Sequence, residues 1–247
     1  MPGPFSRLEM LLGKEALTRL QNSRVAVFGL GGVGGFAAEA LVRSGIGSLL
    51  LVDNDCFTQS NLNRQLLATG ASLGVPKVQA SAERFALIAP ECRIETRNTF
   101  FLPDTADSFD FSNLDYIIDA IDTVSGKLAL AEKAGANHIP LISCMGTGNK
   151  MDPLKLRVAD IYQTSVCPLA RVMRRECKKR GISSLKVVYS TEKAIQPGDE
   201  ARQLILRELA ARGEEAGRRD IPGSAIFVPA AAGLLLARTV VDDLINR

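Results

Sequence analysis

The 247-residue chain is 46% hydrophobic and 23% charged, which argues against large-scale disorder and leaves ample length for one sizeable core. A net charge of +3 is too small to draw nucleic acid through the overall field, so such a partner has to meet a local patch. The five cysteines (Cys56, Cys92, Cys144, Cys167, Cys177) are odd in number and lack a C-x-x-C pair; they argue against a disulfide framework or a tetrathiolate zinc site and fit a reducing cytoplasm.

No charged-then-apolar leader opens the chain, so secretion is not expected. Met10 to Leu20 carries Leu11, Leu12, Leu17 and Leu20 at near-helical spacing. Arg24 to Phe28 reads as a buried parallel strand running into glycines, a helix follows from Val33 to about Arg43, and Ser48 to Val52 is a second strand with Asp53 at its carboxyl end. Gly74 to Ala89 places Val78, Ala82, Phe85 and Ile88 in helical register, and Pro90 ends it. Arg93 to Thr96 is a short strand; Leu114 to Asp119 and Ile139 to Cys144 are further apolar runs around a helix over Ser125 to Ala136. Strands alternating with helices predict an α/β, Rossmann-like, doubly wound and mostly parallel sheet.

After Gly146 the pattern changes. Leu154 to Val158 alternates as a strand, Pro168 opens a basic helix, and Lys186 to Tyr189 is another strand. Pro197 to Pro222, rich in charge and glycine with a helical centre over Glu200 to Ala211, reads as a mobile segment. Ala225 to Ala237 is apolar but contains Pro229 and falls short of the roughly 20 residues that cross a bilayer. A buried or subunit-interface helix is expected there, with no stable membrane insertion.

Gly29-Leu-Gly31-Gly32-Val-Gly34 lies between the first strand and its helix, where backbone amides can hold phosphate oxygens. With Asp53 nineteen residues beyond Gly34, this layout also fits a dinucleotide site, and an NAD-dependent oxidoreductase stays open at this point. The following segment favours a triphosphate, whose larger charge Arg64 and Lys77 can meet. Asp119-Ala-Ile-Asp122 then sets an acid at the carboxyl edge of a strand, where Asp122 can hold Mg²⁺ against phosphates.

The succession of glycine loop, D-x-D (Asp53, Asp55), N-x-x-R-Q (Asn61, Arg64, Gln65), Lys77 and strand-end Asp122 resembles the ubiquitin-activating-enzyme-like adenylyltransferases over roughly Val25 to Asp122. The resemblance implies an enzyme that adenylates a carboxylate with ATP and Mg²⁺. It assigns Gly29, Gly31, Gly32, Gly34, Asp53, Asp55, Asn61 and Gln65 to ATP binding, with Asp53 on the ribose, and Arg64, Lys77 and Asp122 to catalysis, with Asp122 on the metal. One domain over 1–247 is expected, its 1–145 part binding ATP and its smaller 146–247 extension facing substrate and forming a dimer.

Branches that load small sulphur-carrier proteins characteristically carry paired C-x-x-C zinc sites, which this chain lacks. Val33-Gly-Gly-Phe-Ala-Ala-Glu-Ala-Leu41, Asn61 to Gln65, Asp119 to Asp122, Asp152-Pro153 and Val188-Tyr-Ser-Thr-Glu192 are similar to the tRNA threonylcarbamoyladenosine dehydratase branch. There ATP activates the carboxylate of the threonylcarbamoyl group, a neighbouring amide closes a five-membered ring, and the tRNA base loses water. The branch implies a homodimer in which an arginine near the amino terminus reaches the neighbouring site; Arg7 lies near that place, but a solvated side chain is the expectation for it. It leaves open a monovalent cation and a sulphur-relay partner protein. Gly35 departs from the serine common in the family after the last loop glycine. The alternative substrate is the carboxyl terminus of a ubiquitin-like sulphur carrier.

Arg171, Arg174, Arg175 and Lys178 fall at helical offsets of zero, three, four and seven, a basic stripe extended by Lys179 and Arg180; the spacing allows either a solvated face or tRNA phosphate contact. Cys167 and Cys144 read as packing residues, and His138 has no companion ligands. Asp119 is expected to hydrogen-bond near the loop rather than to bind metal, and Ser190 to Glu192 to form a strand-end turn.

Overall fold

A computed structural model describes residues 3–200, 203, 207 and 222–246. Its strands are β1 (Arg24–Phe28), β2 (Ser48–Val52), β3 (Arg93–Arg97), β4 (Tyr116–Asp119), β5 (Leu141–Cys144), β6 (Leu156–Asp160) and β7 (Lys186–Ser190). They form one sheet in the order β3-β2-β1-β4-β5-β7-β6, parallel throughout except for the β6–β7 pair. The expected mostly parallel α/β sheet is therefore the one observed. Strand order reverses between β1 and β4, and the crevice at such a reversal, outside the carboxyl ends of the strands, is where open α/β sheets bind ligands.

Burial explains which runs became strands. Val25 to Phe28 are wholly inaccessible, sandwiched between helical layers, so β1 needs a continuous apolar run rather than an alternating one. The antiparallel edge strand β6 is less covered: Leu156 is buried, Arg157 and Val158 are exposed, and Ala159 and Asp160 are half-buried, so the expected alternation is not the one observed. It starts at Leu156, two residues later than the pattern suggests, because Pro153–Lys155 close a short 3-10 turn whose Leu154 N–H donates to the Asp152 carboxylate at 2.9 Å.

The helices are α1 (Ser6–Leu12), α2 (Lys14–Gln21), α3 (Gly34–Arg43), α4 (Lys77–Ile88), α5 (Val124–Ala136), α6 (Pro168–Lys179) and α7 (Phe227–Ile245). The single helix read over Met10 to Leu20 is two, split at Gly13: α1 buries nothing, whereas Leu17 and Leu20 of α2 are in the core. The helix read from Gly74 starts at Lys77, since Cys56 and Phe57 bridge to Pro76 and Leu73 and hold the preceding residues extended. The helical centre read over Glu200 to Ala211 lies outside the described residues apart from 200, 203 and 207.

The Ala225-to-Ala237 run belongs to α7, which continues to Ile245 and buries Val228, Ala232, Leu236, Val240 and Leu244. It crosses α3 closely at Gly233, where a side-chain carbon would lie 2.4 Å from the Val33 carbonyl oxygen. Each fully buried valine or leucine on this face contributes about 1.5–3 kcal/mol. The opposite face of the sheet is sealed by an aromatic group around Phe28, with Phe101 edge-on at 4.9 Å between centroids. No helix among the described residues is long and apolar enough to cross a membrane.

Candidate active site

The glycine loop lies hard against the turn that follows β4. Gly29 has φ 88°, and a side-chain carbon there would stand 2.7 Å from the Ala120 carbonyl oxygen; one at Gly34 would stand 1.7 Å from the Gly29 carbonyl oxygen. No other residue fits those two positions. The loop is fastened to the end of β2 by Asp53, whose Oδ2 accepts the Leu30 N–H at 2.6 Å while Oδ1 accepts the Asp55 N–H at 2.8 Å. Burial pushes the Asp53 pKa above its ordinary value, against the opposing pull of Lys77 and the two amides. Lys77 is buried at the start of α4, with Nζ 2.7 Å from Asp55 Oδ2 and 3.9 Å from Asp53 Oδ1.

Across the loop, a short turn at Gln59–Asn61 uses Asn61 Oδ1 to accept the Thr58 N–H at 3.1 Å, leaving the Asn61 amide NH₂ uncommitted among the described residues. Arg64 packs its Cγ 3.4 Å from where a side chain at Gly32 would begin. Its guanidinium donates to Ser60 O at 2.8 Å and Asn63 Oδ1 at 3.0 Å, yet has no carboxylate partner among the described residues, and burial lowers its pKa. Gln65 turns its amide nitrogen toward Gly31, and its Oε1 is buried without a hydrogen-bond partner. Asp122 is exposed just before α5 and makes no hydrogen bond or ion pair among the described residues.

These features fit a nucleoside triphosphate. The glycine-rich turn into α3 suits an anion, Arg64 offers a guanidinium with no carboxylate partner among the described residues, and the buried Gln65 Oε1 is an acceptor without a donor there, which a nucleoside's hydroxyl or amino group could supply. Asp122, exposed and without a partner among the described residues, is a carboxylate that could share a Mg²⁺ with phosphate oxygens. No group of three or more His, Cys, Asp or Glu among the described residues could enclose a metal, and Mg²⁺ is normally held by one or two carboxylates plus phosphate oxygens and water.

Several groups escaped the pattern reading. Asp119 is fully buried, as expected of a hydrogen-bonding rather than metal-binding role, but its partners Lys127 and Ser143 were not foreseen. The signal was a lone lysine in the apolar run Gly126 to Ala131. Glu192 accepts the N–H groups of Met151 and Asp152 at 3.0 Å, joining Asp152-Pro153 to the end of β7. Glu39 of α3 is buried against Arg84 of α4 at 2.6 Å and Arg43 at 2.8 Å; burial alone would raise its pKa, but the two arginines hold it below the usual value.

The basic stripe behaves differently. Arg171, Arg175 and Lys178 are exposed on α6, but Arg174 is half-buried and donates to Thr164 O at 2.7 Å and to its hydroxyl. Arg175, Lys179 and Arg180 converge on Glu176, whose pKa their hydrogen bonds push down to about 2. The helix starts beside Gly146, with Cys167 Sγ 3.8 Å from a side-chain position there, and ends near the far end of α5, where Arg180 meets Glu132 at 3.3 Å. The stripe thus runs away from the loop edge. Cys167 is buried, burial pushes the Cys144 thiol up to about 12, and His138 is exposed in a left-handed turn. Arg7 is exposed on α1.

The fold, the glycine cradle and the cations and acids gathered at the β1–β4 switch define a nucleotide-binding protein of Rossmann type. The model of the ThiF family matches residues 5–240, and the chain belongs to that family. It is 43% identical over 246 residues to a tRNA threonylcarbamoyladenosine dehydratase of Bacillus subtilis, covering 98% of this chain and 94% of the relative. The crystal structure of the Escherichia coli tRNA N6-threonylcarbamoyladenosine dehydratase in complex with ATP is similar at TM-score 0.85 and 31% identity, covering 98% of this chain and 94% of that one. The same enzyme in complex with AMP is similar at TM-score 0.85.

Proposed function

We propose that this protein catalyses the ATP-dependent dehydration of threonylcarbamoyladenosine in tRNA through adenylation of the substrate carboxylate. What supports it is the end-to-end similarity to dehydratases in a chain whose glycine loop packs against Arg64 at Gly32 and against the turn leading to Asp122 at Gly29.

In the first step a carboxylate oxygen of the threonylcarbamoyl group attacks the α-phosphorus and pyrophosphate leaves. In the second the neighbouring amide closes on the activated carbonyl and AMP departs with the former carboxylate oxygen, so the nucleoside loses the atoms of one water. AMP is a far better leaving group than hydroxide, and no nucleophile from the protein is required. The chain's task is to orient ATP and meet its charge. The loop amides and Asn61 hold phosphate oxygens, Arg64 faces the negative charge at the α-phosphate, and Asp53 offers its remaining lone pairs to the ribose. Lys77 reaches a phosphate oxygen by releasing the exposed Asp55. Asp122 would hold Mg²⁺, which when bound neutralises phosphate charge. A homodimer fits α1, which buries nothing of its own and leaves Met10 and Leu11 exposed. The free thiols of all five cysteines agree with a cytoplasmic location.

The test is a reaction of purified protein with ATP, Mg²⁺ and threonylcarbamoyl-modified tRNA. AMP should appear in step with loss of water from the nucleoside, and unmodified tRNA should give little. ADP as product would refute adenylation, while AMP release driven only by a small carrier protein would reassign the substrate.

A further inference from the structure

The most deeply buried ion pair among the described residues lies just behind the proposed catalytic edge. Asp119 of β4 and Lys127 of α5 are 0% and 1% exposed, with Lys127 Nζ 3.1 Å from Asp119 Oδ2. Ser143 of β5 donates its hydroxyl to the same Oδ2 at 2.5 Å and lies 3.3 Å from Nζ. The other carboxylate oxygen, Oδ1, accepts the Ile121 N–H at 3.0 Å. One carboxylate therefore ties together β5, α5 and the turn between β4 and α5. That turn is the one pressed against the glycine loop through Ala120, and the residue after Ile121 is Asp122.

Stability does not account for such a group. Desolvating two ions cancels most of their attraction, and apolar residues of equal volume commonly serve as well or better. Lys127 is followed by Leu128, Ala129, Leu130 and Ala131, all buried, so an apolar side chain would suit its place on α5. What a charged, hydrogen-bonded carboxylate supplies that apolar packing does not is direction: it fixes the Ile121 amide and hence the path of the chain into Asp122.

We infer that Lys127, acting through Asp119 and with Ser143, is a positioning residue that sets the Asp122 turn against the glycine loop, an inference that rests on the role proposed above for Asp122. Because displacement of a reacting group by about 1 Å costs on the order of a hundredfold in rate, loss of the lysine should appear in kcat rather than in ATP binding.

The experiment compares wild type, Asp122→Asn, Lys127→Met, Ser143→Ala and the double variant Asp119→Asn/Lys127→Met by melting temperature and by AMP release across ATP concentrations. Lys127→Met and the double variant should lose roughly a hundredfold in kcat, with the ATP KM within about threefold of wild type. Ser143→Ala, which spares the ion pair, should lose roughly three- to tenfold. The double variant leaves no buried unpaired charge and should regain most of the melting temperature lost in Lys127→Met without regaining kcat, a separation that a purely structural role does not produce. Wild-type kcat in a folded Lys127→Met or double variant would overturn the inference; if Lys127→Met does not fold, wild-type kcat in both the double variant and Ser143→Ala does so. Full activity of Asp122→Asn would remove the role on which the inference rests, and it would fall with that role.

Discussion

Two regions of this protein that carry arginines differ in how those cations are surrounded. At the β1–β4 switch, among the described residues, Arg64 is half-buried with no carboxylate partner, Gln65 Oε1 is buried with no hydrogen-bond partner, and Asp122 makes no hydrogen bond or ion pair. On α6 the cations are more numerous and mostly exposed: Arg174 donates to the neutral Thr164, as Arg64 does to Ser60 and Asn63, while Arg175, Lys179 and Arg180 share the single carboxylate of Glu176. A desolvated cation without a counterion implies a ligand, because burying it uncompensated is expensive. A solvated cation beside a glutamate implies little, since exposed pairs contribute at most about 1 kcal/mol.

The sharpest way to break the first region is Gly34→Ala. Its new methyl group would collide with the Gly29 carbonyl oxygen, so the thermal shift caused by ATP should vanish while tRNA still binds. An undiminished ATP shift would contradict the cradle. Asp122→Asn should come next, with kcat reduced by roughly 10²–10³ and ATP affinity within about threefold, as expected of a group acting on the transition state. Asp53→Ala should show the reverse emphasis: roughly tenfold weaker ATP binding by titration calorimetry, through loss of the ribose contact and of the tether to Leu30. If these two phenotypes interchange, the assignment of ribose and metal ends is inverted.

The second region is better probed by Arg171→Glu with Lys178→Glu than at Arg174, whose guanidinium is occupied within the fold. If the stripe contacts phosphate, tRNA binding should weaken several-fold with a shallower salt dependence, and ATP affinity should not move. Unchanged tRNA binding at every salt concentration would leave a solvated face. The smallest effect concerns the thiols: iodoacetamide at neutral pH should label Cys56, the one exposed cysteine, and spare Cys144, whose buried thiol is held up to about 12; labelled protein should keep its activity. Mass spectrometry after brief exposure checks this, and rapid loss of activity with Cys167 labelled would contradict the packing role read for that thiol.

The strand-helix-strand unit around the glycine loop was legible because its constraints are local. Arg24 to Phe28 and Ser48 to Val52 match the observed strands residue for residue, since a strand covered on both faces must be apolar throughout. Asp53, Arg64, Gln65 and Lys77 were recognisable as a recurring order of residues, and contacts in the fold tie each of them to the loop or to its anchor. Less local features were misjudged. The leucines from Met10 to Leu20 mixed an unburied helix with a buried one because spacing does not report which residues meet the core.

By itself, then, the sequence determined the sheet class, the glycine loop and the family, because each is written in residues close together along the chain. Only the tertiary structure decided which charges are answered. The partnership of Asp119 with Lys127 and Ser143 spans eight and 24 residues, Glu39 meets Arg84 across 45, and Asp152 is joined to Glu192 across 40. Such pairs form when separate strands and helices are packed side by side, and an ammonium group's electrostatic environment follows from that packing rather than from its neighbours in sequence.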